Sequence, residues 1–299
     1  MEKKNYMISV IGPKASGKSH YISVLIQSAL KSRFPREFGA SARFLSDLTK
    51  DTYNSVLHDP VYFMHRTIPP TRAKANNDDL IPLIYNLSIS GETITFVFFD
   101  TAGEDLKRQD TIMAYNRYIG LSDGLVFLVD PLQFPRVNER LQYPNKPPKV
   151  GNQVTDVYES VINSIRTIGQ IKSSKKIDSP IAIAFTKADL LLRDPYPGED
   201  RDVLLGKDSS VLVERRKGGY DQENFDQVSN EVENYIDYVT EGHMNTLTKN
   251  NFKRYKYFAM SALGSDPKNG VIDNLSPMRI EDPVIWLLYE FGIIKKLKR

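Results

Sequence analysis

Gly12-Pro13-Lys14-Ala15-Ser16-Gly17-Lys18-Ser19 sets two glycines five residues apart, then a cation and a hydroxyl. That spacing suits an anion made of linked phosphates. The glycines let the backbone turn tightly, so that successive N–H groups converge on phosphate oxygens. A helix beginning at Lys18 would aim its positive N-terminus at the same charge. Lys18 would reach the β- and γ-phosphates, and the Ser19 hydroxyl would ligate Mg²⁺. Gly12, Ala15, Ser16, Gly17, Lys18, Ser19 and the next helical residue, His20, form the expected phosphate-binding set.

Three further stations follow along the chain. "FVFFDTAGEDL", residues 96–106, puts Asp100 at a strand end, where a carboxylate can act on the Mg²⁺ shell, mainly through water. Gly103 lets a backbone N–H approach a γ-phosphate without a side chain in the way. "IAIAFTKADLL", residues 181–191, selects the base. Asp189 offers two acceptor oxygens, and guanine presents two adjacent donors that adenine lacks. Lys187, beside Thr186, would lay its aliphatic stem along the base plane. "YFAMSALG", residues 257–264, places Ser261, Ala262 and Leu263 after another strand, with the Ala262 N–H available to the guanine oxygen. If Asp189 were a bystander, the same phosphate loop would serve an ATPase.

The rest of the chain must position these stations. It has 299 residues, 40% hydrophobic and 26% charged, and a net charge of +3. That charge is too small to argue for a nucleic-acid partner. There is no cysteine, which excludes disulfides and thiolate metal sites and fits a reducing, cytoplasmic setting. The four histidines show no ligand spacing. No stretch reaches the ~18 apolar residues of a membrane span.

Strand and helix patterns alternate. Strands are expected at Tyr6–Ile11, Ile81–Ile89, Thr93–Phe99, Gly124–Val129, Pro180–Phe185 and Tyr255–Met260. Helices are expected at Lys18–Ser32, 104–119, 154–168, 225–239 and Pro283–Lys296, with another around Phe44–Leu57 inside an otherwise irregular 33–80. "SGE" between the second and third strands reads as a hairpin turn. The alternation implies an α/β fold, mostly parallel, with one antiparallel edge strand and helices on both faces. Ligands then bind at the carboxyl ends of the strands, and each station above follows a strand. Residues 131–151 and 193–222 read as long insertions, suited to partner surfaces. The closing "PVIWLLYEFGIIKKLKR" reads as a helix packed on the sheet, in preference to a helix lying on anionic lipid.

The ordered set "GPKASGKS", "DTAG", "TKAD" and "SAL" resembles a Ras-like GTPase of the translation-factor-related class. "RTIPPT", "DTAGED", "FLVDP" and "DPVIWLLYEFG" resemble, more narrowly, a bacterial group of double-GTPase-type proteins. The resemblance implies a three-layer P-loop GTPase fold, one elaborated G domain over residues 1–299, bound GTP or GDP with Mg²⁺, and two switch segments that meet a protein effector or activator. Thr71 is the favoured switch ligand to Mg²⁺, with Thr67 second.

The chain departs from that pattern at two places. Glu104 stands where Ras-like enzymes carry the water-orienting glutamine. A carboxylate accepts a proton from water but repels the γ-phosphate, so slow turnover or a sensor without turnover both remain open. Lys14 occupies a loop position that is often glycine, and it either neutralises phosphate charge or points into solvent. Arg66 and Arg72 flank the candidate threonines as candidate cations in cis.

Overall fold

The computed structural model describes residues 4–69, 82–98, 116–141 and 154–298. These residues form a seven-stranded sheet in the order β2-β3-β4-β1-β5-β6-β7. The strands are β1 (Asn5–Ile11), β2 (Ser41–Phe44), β3 (Leu83–Ile89), β4 (Glu92–Phe98), β5 (Gly124–Val129), β6 (Ile181–Phe185) and β7 (Tyr255–Ala259). β4, β1, β5, β6 and β7 run parallel. β3 is antiparallel to β4, and β2 to β3. The antiparallel edge is thus one short strand wider than the sequence indicates. β2 has four residues, and although Ala42 and Phe44 alternate toward the core, the run is too short to mark a strand by itself. Its pairing with β3, from Ser41 opposite Ser88 to Phe44 opposite Tyr85, creates it.

Ser90 and Gly91 close the expected hairpin with φ of 53° and 88°. Two successive positive φ values match the twist of the flanking strands in a two-residue turn.

Residues 33–62 are ordered rather than irregular. The helix α1 (Lys18–Val24) continues in a wider π register over Leu25–Arg33 and returns to α geometry in α2 (Phe34–Phe38). After β2, Ser46 caps α3 (Asp47–Thr52) by accepting from Thr49 N at 3.3 Å. A second π stretch, Tyr53–His58, leads into α4 (Asp59–Tyr62). Each wide stretch ends just ahead of a proline, Pro35 or Pro60. A proline ring collides with the carbonyl four residues earlier in a regular helix, and widening the preceding turn relieves that contact.

The other helices are α5 (116–121), α6 (Pro135–Arg140), α7 (Val154–Ile168), α8 (Gln222–Thr240), α9 (His243–Asn251) and α10 (Asp282–Glu290). They complete two hydrophobic cores, one on each face of the sheet. Val126 and Leu128 of β5 point into the core shared with α1, the first π stretch and α10. Leu125, Phe127 and Val129 point into the core shared with α7 and most of α8. Period-two alternation of a strand buried on both faces produces this split.

The closing helix stops at Glu290 and does not reach Lys296. Gly292 has φ of 74°. Its N–H bonds to Tyr289 O and that of Ile293 to Leu288 O, both at 2.9 Å. This left-handed glycine with paired back-bonds is a Schellman stop. The chain then turns so that Leu297 N meets Tyr220 O at 2.9 Å. Val284 to Leu288 are buried on the sheet, as the packed reading of α10 expects. No described helix is long and apolar enough to cross a membrane.

Both segments read as insertions have packed parts. Leu132, Phe134, Val137 and Leu141 are buried beside β5. Within 193–222, Arg193 grips Glu199 with two bonds of 2.6 and 2.7 Å, and Val203, Val211 and Tyr220 are buried.

Candidate functional site

β1 delivers the chain to Gly12 at the carboxyl end of the sheet, in the middle of the strand order. A Cβ on Gly12 would lie 2.5 Å from Leu128 O on β5, so only glycine allows the loop to leave the sheet there. Ala15 and Gly17 both adopt left-handed conformations, φ 62° and 83°. Alternation of right- and left-handed residues turns N–H groups to one side and makes an anion-binding concavity. Gly17 is also the N-cap of α1 and, as glycine, brings no capping side chain of its own. Lys18 Nζ donates to Gly12 O and Pro13 O, both at 2.9 Å, and so braces the loop. Ser19 is half-buried, one residue further on. The Ser16 hydroxyl is wholly buried. Lys14 and Ala15 are exposed at the crest, with Lys14 O accepting from Gln133 Nε2 at 2.6 Å.

β6 delivers the second station. The Thr186 hydroxyl donates to Ser16 O at 2.9 Å and lies 3.3 Å from Val129 O. Lys187 is left-handed (φ 53°), an uncommon state for a residue with a side chain. Its Nζ lies 2.5 Å from Asp130 Oδ2. Ala188 N bonds to Met260 O at 3.0 Å, which ties this turn to the end of β7. Asp189 then sits half-buried in a short 3-10 turn, Ala188–Leu190. Burial pushes its carboxyl above the usual carboxylate range, and hydrogen bonding with Ser261 opposes the shift.

After β7, Ser261 exchanges backbone bonds of 3.0 and 2.9 Å with Met278, and its hydroxyl accepts from Gly264 N at 2.8 Å. Ala262 and Leu263 follow, partly buried.

One cavity of about 250 Å³ gathers these stations. Gly17 and His20 line it from the phosphate-loop side, and Thr186, Lys187, Asp189, Ser261, Ala262 and Leu263 from the other. Thr67 lines it too. Asp189 also borders a larger cleft of about 900 Å³, whose walls include Arg33, Arg215 and Arg279 but no residue of the phosphate loop. The smaller cavity is the functional candidate, because the polar groups of separate strands converge there.

Thr71, Arg72, Asp100, Gly103 and Glu104 lie outside the described residues. Of the three expected Mg²⁺ ligands, Ser19 alone falls within them.

Three contacts at the site carry no sequence signal. His20 Nε2 accepts from Ile68 N at 3.0 Å. Burial, assisted by the nearby Lys187 charge, pulls its pKa down to about 4, so the ring is a neutral acceptor. Thr67 N bonds to Gly270 O and Ile272 N to His65 O, at 2.9 and 2.8 Å. Segment 65–68 is therefore clasped between α1 and the loop beyond Ser261. The third contact is Asp130 with Lys187. "FLVDP" displays the carboxylate, but nothing in the local pattern says where it points.

Comparison with known proteins agrees with this geometry. The family described as Double-GTPase 2 matches residues 6–234, a span that runs from the first strand through the phosphate loop and "TKAD" into α8. The chain is also similar to a protein of Mycolicibacterium smegmatis with the provisional name ESX-1 scaffolding and assembly protein SaeC. The two are 26% identical over 302 residues, covering 96% of this chain and 75% of the relative. With the glycine loop after β1 and Asp189 after β6 brought to the same end of one mostly parallel sheet, and a family match over residues 6–234, the chain belongs to the Double-GTPase 2 family.

Proposed function

We propose that this chain is a GTP-binding molecular switch, built as a single elaborated G domain, that hydrolyses GTP to GDP and phosphate slowly unless a protein partner accelerates it. One observation carries the reading: Gly17, Thr186, Lys187, Asp189, Ser261 and Ala262 border the same cavity. Membership of a family described as GTPases supports the nucleotide class.

In this reading the loop amides and Lys18 hold the phosphates. The two Lys18 bonds to loop carbonyls are the ones its ammonium would exchange for phosphate oxygens. Asp189 accepts from the two guanine donors, and the Ala262 N–H meets the guanine oxygen. The concavity at Ala15 and Gly17 fits a polyphosphate. The half-buried Ser19 hydroxyl fits one Mg²⁺ position, with Thr71 and Asp100 proposed for the others. Bound Mg²⁺ would supply charge neutralisation across the β- and γ-oxygens. The exposure of Lys14 favours its solvent-facing role over a cation above the phosphates. Similarity to a protein named for scaffolding and assembly supports a protein partner, met through the switch segments.

Glu104 favours a second reading, a GTP sensor that does not turn over. Single-turnover release of phosphate from γ-labelled GTP, with Mg²⁺ and with or without cell extract, separates the two. Release above the solution background supports the enzyme. Tight GTP binding without release supports the sensor. ATP binding as tight as GTP binding overturns both.

A further inference from the structure

Asp130 is the residue at which β5 leaves the sheet, and its side chain is 0% exposed. A buried carboxylate is strongly disfavoured unless its oxygens are paired. Here the two oxygens are used differently. Oδ1 accepts from Leu132 N at 2.9 Å, which caps the short turn Pro131–Gln133. Oδ2 takes the Lys187 ammonium at 2.5 Å.

Capping alone needs one neutral acceptor. The carboxylate's charge, shared by both oxygens, is met by the ammonium of a side chain that lines the cavity. A lysine stem has many rotamers, and ordering it opposes binding. A tip fixed beforehand removes that opposition from the binding step. The left-handed backbone of Lys187 points to the same constraint, since a residue with a side chain holds that state only when its surroundings require it. The same turn reaches the other end of the site. Gln133 donates to Lys14 O at 2.6 Å, so Pro131–Gln133 spans from the base-side lysine to the phosphate loop.

We propose that Asp130 is a positioning residue for nucleotide binding: its buried carboxylate holds the Lys187 ammonium so that the lysine stem already lies along the cavity wall when the base enters. This rests on the reading of that cavity as a guanine-nucleotide site. Asp130 touches no nucleotide and acts through Lys187.

The test is a double-mutant cycle on the full chain, read by dissociation of a fluorescent methylanthraniloyl-GDP. Asp130→Asn keeps an acceptor for Leu132 N and removes the charge. It is expected to release the probe about tenfold faster. In a Lys187→Met background the same substitution is expected to change the rate less than twofold. Equal effects in both backgrounds, or no effect of Asp130→Asn in wild type, overturn the proposal and leave the guanine site standing. A wild-type protein that binds no guanine nucleotide overturns the site itself. If Asp130→Asn does not fold, a crystal structure of the wild-type GDP complex decides. Lys187 Nζ on Asp130 with its stem against the base supports the proposal, and a lysine parted from Asp130 overturns it.

Discussion

The Thr186 hydroxyl donates to the Ser16 carbonyl at 2.9 Å, joining the glycine loop after β1 to the loop after β6 across 170 residues of chain. Both residues are buried, so the carbonyl has no water to replace the bond. Thr186→Val removes the donor at nearly constant volume. It is expected to cost about 1–2 kcal/mol, read as a lower urea midpoint, and to weaken GDP binding. Thr186→Ser, which keeps the hydroxyl, should retain most of both.

Asp189 tests the identity of the base. Asp189→Asn exchanges an acceptor for a donor. GTP affinity should fall by at least about tenfold, while xanthosine triphosphate, whose 2-oxo group accepts from the new amide, should bind better than to wild type. Competition titrations against labelled GDP measure both. An unchanged GTP affinity would remove Asp189 from the site.

The glycines of the phosphate loop are required for different reasons. Gly17→Ala meets ordinary contact distances, 3.5 Å to Thr186, but places a side chain at φ 83°, a strain of about 1–2 kcal/mol. Gly206 has the same φ with nothing nearby, so Gly206→Ala isolates the strain and should leave nucleotide binding intact. Gly12→Ala should be the most damaging of the three, because its Cβ would press on the Leu128 carbonyl at 2.5 Å. Chemical denaturation ranks them.

His20 makes the clasp on segment 65–68 sensitive to acid. Its pKa is about 4 when folded, against 6.5 for an imidazole in water. The folded protein therefore binds fewer protons in that interval. The contribution is fully present above pH 6.5 and is lost as the pH falls toward 4, about 3 kcal/mol in all. His20→Gln, which keeps an acceptor for Ile68 N but does not titrate, should flatten that part of the stability profile. Equal slopes for the two proteins would contradict the assignment.

Arg215 anchors the 193–222 segment to the two ends of the opposite core. It bonds Glu37 at 2.8 and 3.0 Å and lies 3.5 Å from Asp282 and 3.6 Å from Glu281. Burial raises the Asp282 carboxyl to about 6, against the pull of Arg279 and Arg215. A folded pKa above the unfolded one adds stability at low pH and loses it as pH rises through about 6. Arg215→Met strands these acids and should cost about 3–5 kcal/mol. The loss should be larger at about pH 8 than at about pH 5.5, on either side of that titration, as measured by urea unfolding at each pH.

The local elements were legible because their signals are local. Apolar runs marked β1, β5, β6 and β7, and helical spacing marked α7 and α8, since burial on two faces or on one stripe needs nothing beyond the segment itself. The glycine spacing before Lys18 and the carboxylate of "TKAD" were likewise legible by residue type, and the fold brings Gly17 and Asp189 to one cavity. The apolar run carries the helical pattern on to Lys296, whereas the left-handed Gly292 ends the helix at Glu290.

Position across the fold was not legible. β2 exists because β3 pairs with it. Thr186 reaches Ser16, Lys187 reaches Asp130, and Ile68 reaches His20 only after the parallel strands align their carboxyl ends on one edge of the sheet. By itself the sequence determined which groups could hold phosphates and read a purine. The tertiary structure decided which of them meet, because a bond between residues far apart in the chain depends on strand order and register, and neither leaves a periodic trace in the residues it joins.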